Sequence, residues 1–149
     1  PKALTSDPVN YPIEIGIVPL VFEMKRLGIF EPCWSCEGHL GPGGDLWKLP
    51  RVWFYCESPI HVRLLVDGLK DLQVAGNLSY GWQVAVTFSD PDNPETTYSL
   101  EPMVESEDPS LLPNLQADAH LIARSLEDLM TSQGRKLQVG AAKVLNRNG

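Results

Sequence analysis

Between positions 32 and 39 the chain reads Pro32-Cys33-Trp34-Ser35-Cys36-Glu37-Gly38-His39. Two of the three cysteines and one of the three histidines fall in this stretch. The third cysteine, Cys56, closes the run Arg51-Val52-Trp53-Phe54-Tyr55-Cys56. Cys33-x-x-Cys36-x-x-His39 together with Cys56 offers four soft or borderline donors, the number and type that a tetrahedral zinc takes. A second paired knuckle at a set distance, the mark of strong zinc signatures, is missing. If only Cys33, Cys36 and His39 bind, an open fourth position would carry a water, with Glu37 as candidate general base. A redox dithiol is the second chemistry, but it needs a helix N-terminus or cation to lower a thiol pKa, and this pair follows a helix. The third reading is packing alone, with cysteines as small buried hydrophobes in a tight turn.

Aromatic residues flank the same stretch. Trp34 and Trp47 bracket the glycines at 38, 41, 43 and 44, and would form a stacking surface for a flat small-molecule ligand. Burial against the core is the competing use of both rings. His61 with Arg63, and His120 with Arg124, read as solvated helix positions rather than sites. Glu105, Glu107 and Asp108 lack calcium-loop spacing and read as an acidic linker.

The elements that must position these residues follow from periodicity. Ile13, Ile17, Leu20, Val21, Met24 and Leu27 recur at helical spacing, and Gly28 supplies a stop. Pro19 requires either a kink or a helix that starts near it after an extended lead-in. Val52 to Cys56 is β-branched and aromatic, hence a strand. Ser58 and Pro59 open a second helix that ends at Gly76-Asn77. Tyr80 to Ser89 alternates, with Trp82, Val84, Val86 and Phe88 on its inward face, and Thr96 to Val104 is its hairpin partner. Pro113 to Ser132 is the clearest helix, stopped by Gly134. The order α–β–β–α–β–β–α predicts an α+β domain over residues 1–134, with a mixed or antiparallel sheet and helices mainly on one face. Residues 1–10 read as a loose arm. Residues 135–149 read as a basic tail, a short edge strand or a frayed end, dispensable for folding.

The chain of 149 residues carries a net charge of -7. Arg135, Lys136, Lys143 and Arg147 fall in the tail, which holds no acid. That leaves eight basic against 19 acidic residues, or -11, in the body. Such a body argues against nucleic-acid and membrane partners, because phosphate surfaces bind clustered cations. No apolar run reaches the roughly 18 residues of a membrane helix, and the N-terminus lacks a signal core. An odd, low cysteine count suits a reducing cytoplasm. Oligomeric state is left open.

A helix closed by glycine, then Ser35-Cys36-Glu37-Gly38-His39, then a strand bearing Val52-Trp53-Phe54, resembles the opening of the tRNA wybutosine-synthesis methyltransferase family. That family carries a Ser-Cys-Ser-Gly-Arg turn after its first helix; here Glu37 replaces Ser and His39 replaces Arg. The resemblance covers roughly residues 13 to 56. It implies a ligand-facing loop at a helix–strand junction that includes Ser35 and Gly38, and an RNA-modifying site that uses S-adenosylmethionine. From the residues alone, the leading expectation is a small metal- or ligand-binding domain, with zinc as the metal. The alternatives are a nucleotide- or RNA-modifying enzyme, as the resemblance implies, and a structural or interaction protein with no metal.

Overall fold

The computed structural model describes residues 12–87 and 91–148. The expected arm over 1–10, and Phe88 and Ser89 of the alternating strand, lie outside the described residues. Helix α1 spans Val18–Leu27, so Pro19 sits in its first turn, where a missing N–H costs no intrahelical bond. Of the two readings of Pro19, the late start holds. Ile13 and Ile17 are buried ahead of the helix in an extended lead-in and turn. Gly28 closes the helix at φ 77°, and its N–H reaches the Lys25 carbonyl.

Strand β1 (Glu31–Cys36) follows, then a small hairpin of β2 (His39–Leu40) and β3 (Leu46–Lys48), then β4 (Arg51–Tyr55). Helix α2 runs Pro59–Val74 from the predicted Ser58-Pro59 start. Strands β5 (Trp82–Val86) and β6 (Thr97–Pro102) form the predicted hairpin, and α3 spans Leu111–Arg147. The main sheet has the order β1-β4-β6-β5, and every neighbouring pair is antiparallel. One β1 residue is extra. Pro32 faces Phe54 and Trp34 faces Trp53, so Cys33 forms a bulge.

The fold is α+β, as expected. Val52, Phe54, Trp82 and Leu100 of the sheet meet Leu20, Met24, Leu65, Leu69, Ile122 and Leu126 of the three helices in one core. Burying each such side chain stabilises the fold by about 1.5–3 kcal/mol. Val86, the last residue of β5 and expected on the inward face, is 71% exposed. The opposite face of the sheet carries Trp34, Trp53 and Ser99, which lie outside that core.

Polar contacts at both ends of its packed length tie α3 to the rest. The buried Asp118 carboxylate accepts the N–H groups of Ser79 (2.9 Å) and Tyr80 (3.2 Å) and the Trp82 indole N–H (3.3 Å). Gln133 and Lys136 both donate to Asp71 of α2. These contacts, with Leu137 against the core, correct the expected stop at Gly134. The helix passes through that glycine to Arg147, since a mid-helix glycine costs only about 1 kcal/mol. The basic tail is therefore helical, neither strand nor frayed end, and residues 138–148 are all exposed. The acidic linker at 105–109 is irregular as expected, and the Glu107 carbonyl accepts the Leu46 N–H at 2.8 Å. Among the described residues, no helix is long and apolar enough to cross a membrane.

Candidate metal centre

Cys36 ends β1, and the chain must reverse at Glu37-Gly38 to enter β2. Gly38 makes that reversal at φ 88°, where side chains are strained. A Cβ there would meet Leu112 at 2.6 Å, Pro50 at 2.9 Å and the Lys48 carbonyl at 3.0 Å. The turn delivers His39 back beside Cys36. The lead-in to α1 crosses the same point and brings Glu14. One donor atom from each of Glu14, Cys36 and His39 lies within 4.8 Å of the others. His39 Nε2 is 2.7 Å from Glu14 Oε2, while Glu14 Oε1 accepts the Glu37 N–H at 3.3 Å. Cys36 is 3% exposed, whereas Glu14 and His39 are part-exposed, so the cluster has a buried floor and an open rim.

A hydrogen-bonded frame holds the lead-in against the turn. Glu37 Oε2 accepts the Gly16 N–H at 2.7 Å, and Gln116 of α3 donates to the Glu37 carbonyl at 3.0 Å. His120 Nε2 is 3.2 Å from the Gly16 carbonyl. Burial pushes the Cys36 thiol above its ordinary range, an effect the Gly38 N–H, 3.4 Å from Sγ, partly offsets. Burial likewise raises Cys33 and Cys56. All three thiols are free, and raised pKa values are the opposite of what a redox dithiol needs.

Of the four expected metal ligands, the fold brings together Cys36 and His39 and separates the other two. Cys33 and Cys36 lie along one strand instead of in a knuckle, roughly 10 Å apart at the rise of a strand. Cys56 follows Tyr55, the partner of Glu31, whereas Cys36 pairs with Arg51 at the other end of β4. Five residues of antiparallel register put Cys56 roughly 17 Å from Cys36. Glu37, expected as a base, instead latches Gly16. Ser35 pairs with Val52 from the edge strand β1, and Gly38 is closed in by Leu112 and Pro50. The expected helix–strand junction is a strand–strand turn.

Trp34 packs on Trp53, with ring centroids 4.5 Å apart. Trp47 lies on β3, its ring under Lys48 Nζ at 4.6 Å. Among the described residues no ring contact joins Trp34 to Trp47. Both remain exposed, at 38% and 64%.

Sequence reasoning missed Glu14, His120 and Asp118. Glu14 had no local signal, since it reaches Cys36 only through the tertiary crossing. Asp118 had one: it falls within the buried stripe Leu115, Ala119, Ile122, where an acid must find donors. His120 was assigned to solvent by its face, one step from that stripe.

A separate cleft of about 740 Å³ opens where β4 meets α2. Its walls include Phe30, Tyr55, Tyr98 and the carboxylates of Glu31, Glu57 and Glu95. Glu31 pairs with Lys25. Among the described residues, the Glu57 and Glu95 carboxylates pair with no cation.

No protein-family model matches the chain, and no curated protein matches it. Among solved structures, the PH1069 protein from Pyrococcus horikoshii is similar at a TM-score of 0.38 and 13% identity, covering 85% of this chain and 84% of that one. A likeness of that size carries no argument about fold or function.

Proposed function

We propose that the chain is a metal-binding domain whose centre is Glu14, Cys36 and His39. The observation that supports it is the convergence of a thiol, an imidazole and a carboxylate within 4.8 Å from two distant segments. This mixed S, N and O set suits zinc, with the buried sulfur giving affinity and the exposed rim leaving a fourth position for water or a small ligand. The frame of Glu37, Gln116 and His120 then orients the two segments that carry the ligands. The free thiols suit a reducing compartment, and on that ground alone we assign the domain to the cytoplasm.

The test is metal analysis of protein purified without chelator, followed by cobalt(II) titration. One equivalent should bind, with a sulfur-to-cobalt charge-transfer band. Cys36→Ser should abolish that band, and His39→Ala should weaken binding by more than about 100-fold. Cys33→Ser and Cys56→Ser should leave it unchanged. If both Cys36→Ser and His39→Ala lower stability and no metal binds the parent, the cluster is a structural clasp only.

The second reading, a nucleotide- or RNA-modifying enzyme using S-adenosylmethionine, has one observation in its favour. Trp34 and Trp53 lie side by side on the face away from the helices. Arg51 sits two residues along that strand and so shares the face. Exposed aromatics beside a guanidinium stack bases. Calorimetry with S-adenosylmethionine, and quenching of tryptophan fluorescence by nucleotides that Trp34→Ala removes, would support it over metal binding alone.

A further inference from the structure

Beyond Leu137 the long helix leaves the body. Eleven exposed residues, 138 to 148, extend it by about 16 Å, twice the screening length at physiological salt. On a helical projection Lys136, Lys143 and Arg147 share one arc. Leu137, Ala141, Val144 and Leu145 share the next. Val144 is 55% and Leu145 72% exposed. Among the described residues, Lys143 and Arg147 have no acidic partner. Lys136 already shows the pairing this segment makes, at 2.9 Å from Asp71.

We propose that this projecting cationic helix docks in the acidic cleft of a second copy of the chain. The cleft offers what the helix lacks. The half-buried Tyr55 and Tyr98 rings give it an apolar wall, the Glu57 and Glu95 carboxylates are unpaired among the described residues, and Ile60, next to the wall residue Pro59, is 54% exposed. A second copy is favoured over other anionic partners by charge. The body carries -11 against +4 in the segment after Gly134, so it repels a phosphate backbone or anionic bilayer while attracting this helix. A phosphate backbone also gives the apolar arc nothing to cover.

The cleft lies at the N-terminal end of α2. The helix departs beyond Asp71, near the C-terminal end of α2. One copy's helix therefore reaches a second copy's cleft head to tail, a heterologous contact that builds short chains or a ring. A helix end of this length buries less than a standard interface, so the association is of the transient kind.

The test is sedimentation equilibrium of the full chain. Self-association should appear at low salt and weaken at least tenfold at about 0.5 M salt. Lys143→Glu with Arg147→Glu should abolish it, as should Glu57→Lys with Glu95→Lys. All four positions are exposed, and circular dichroism checks that both variants keep the fold. Mixing the two variants restores opposite charges across the contact and should restore association. A full chain that stays monomeric, or a mixture that stays unassociated, overturns the proposal. So does a helix whose charge reversal alters only binding to anionic vesicles or polynucleotides.

Discussion

Two acidic groups, Asp118 on helix α3 and Glu14 in the lead-in to α1, have differently built surroundings. At Asp118 a buried carboxylate receives two backbone N–H groups and an indole N–H, and nothing in its surroundings asks for a further partner. At the Glu14–Cys36–His39 cluster the groups meet mostly one another. A carboxylate faces an imidazole, a raised thiol lies beneath, and the rim is open. The first is a closed acceptor and the second an open set of donors. An acid is therefore not a site by virtue of burial. What separates a candidate site from a structural clasp is whether the polar capacity has already been used.

The largest effect tests the closed side. Asp118→Ala leaves three donors without an acceptor and should cost about 3 kcal/mol in urea unfolding, while metal affinity measured on the folded fraction stays unchanged. A loss below about 1 kcal/mol would mean that solvent reaches those donors, and the contrast would collapse.

Next in size is the open side. Cys36 must lose its proton to bind metal, and burial holds that proton to higher pH. Metal affinity should therefore rise at least tenfold per pH unit between pH 6 and 8, about 1.4 kcal/mol per unit, as read by competition with a chelator. A flat profile would remove the thiol from the centre. The metal-free protein should respond in the opposite direction. Unfolded thiols ionise at about 8.5 while the folded ones stay protonated to higher pH, so the native state holds more protons there and stability, unchanged below about pH 8, declines as pH rises from the unfolded value through the higher folded one. The smallest effect tests the continuity of α3 through Gly134. Gly134→Ala meets no atom within 4 Å and should stabilise by about 0.5–1 kcal/mol, raising Tm by a few degrees. No gain would mean the helix is not continuous there in solution.

These contrasts also mark what the sequence could say. Local chemistry was legible: Pro19 and Gly28 bounded α1, Ser58-Pro59 opened α2, β-branched and aromatic composition located β4, and alternation located β5 with β6 as its hairpin partner. The turn at Cys36–His39 was legible as a place, because small, soft and titratable residues are dense there. Its membership was not. Cys56 looked near in the chain, yet antiparallel pairing carries it to the other end of β4. Glu14 looked remote, yet the lead-in to α1 crosses the turn. Gly134 read as a stop because propensity is local, and the grip of Gln133, Lys136 and Leu137 on the body overrides it. Ligand sets assembled by tertiary crossings have no spacing to read.

The extra residue at Cys33 sets the phase of everything up to the turn. Side chains alternate along a strand, so an unbulged β1 would set Trp34 opposite Val52 and drive its indole into the core. With the bulge, Trp34 stands outward beside Trp53, and Cys36 arrives opposite Arg51 at the mouth of the turn. Positions 32 to 36 therefore tolerate exchange of side chains far better than change of number. Losing or gaining one residue there would invert the strand, bury a tryptophan where a valine's neighbour belongs, and dismantle the candidate centre without touching any of its three ligands.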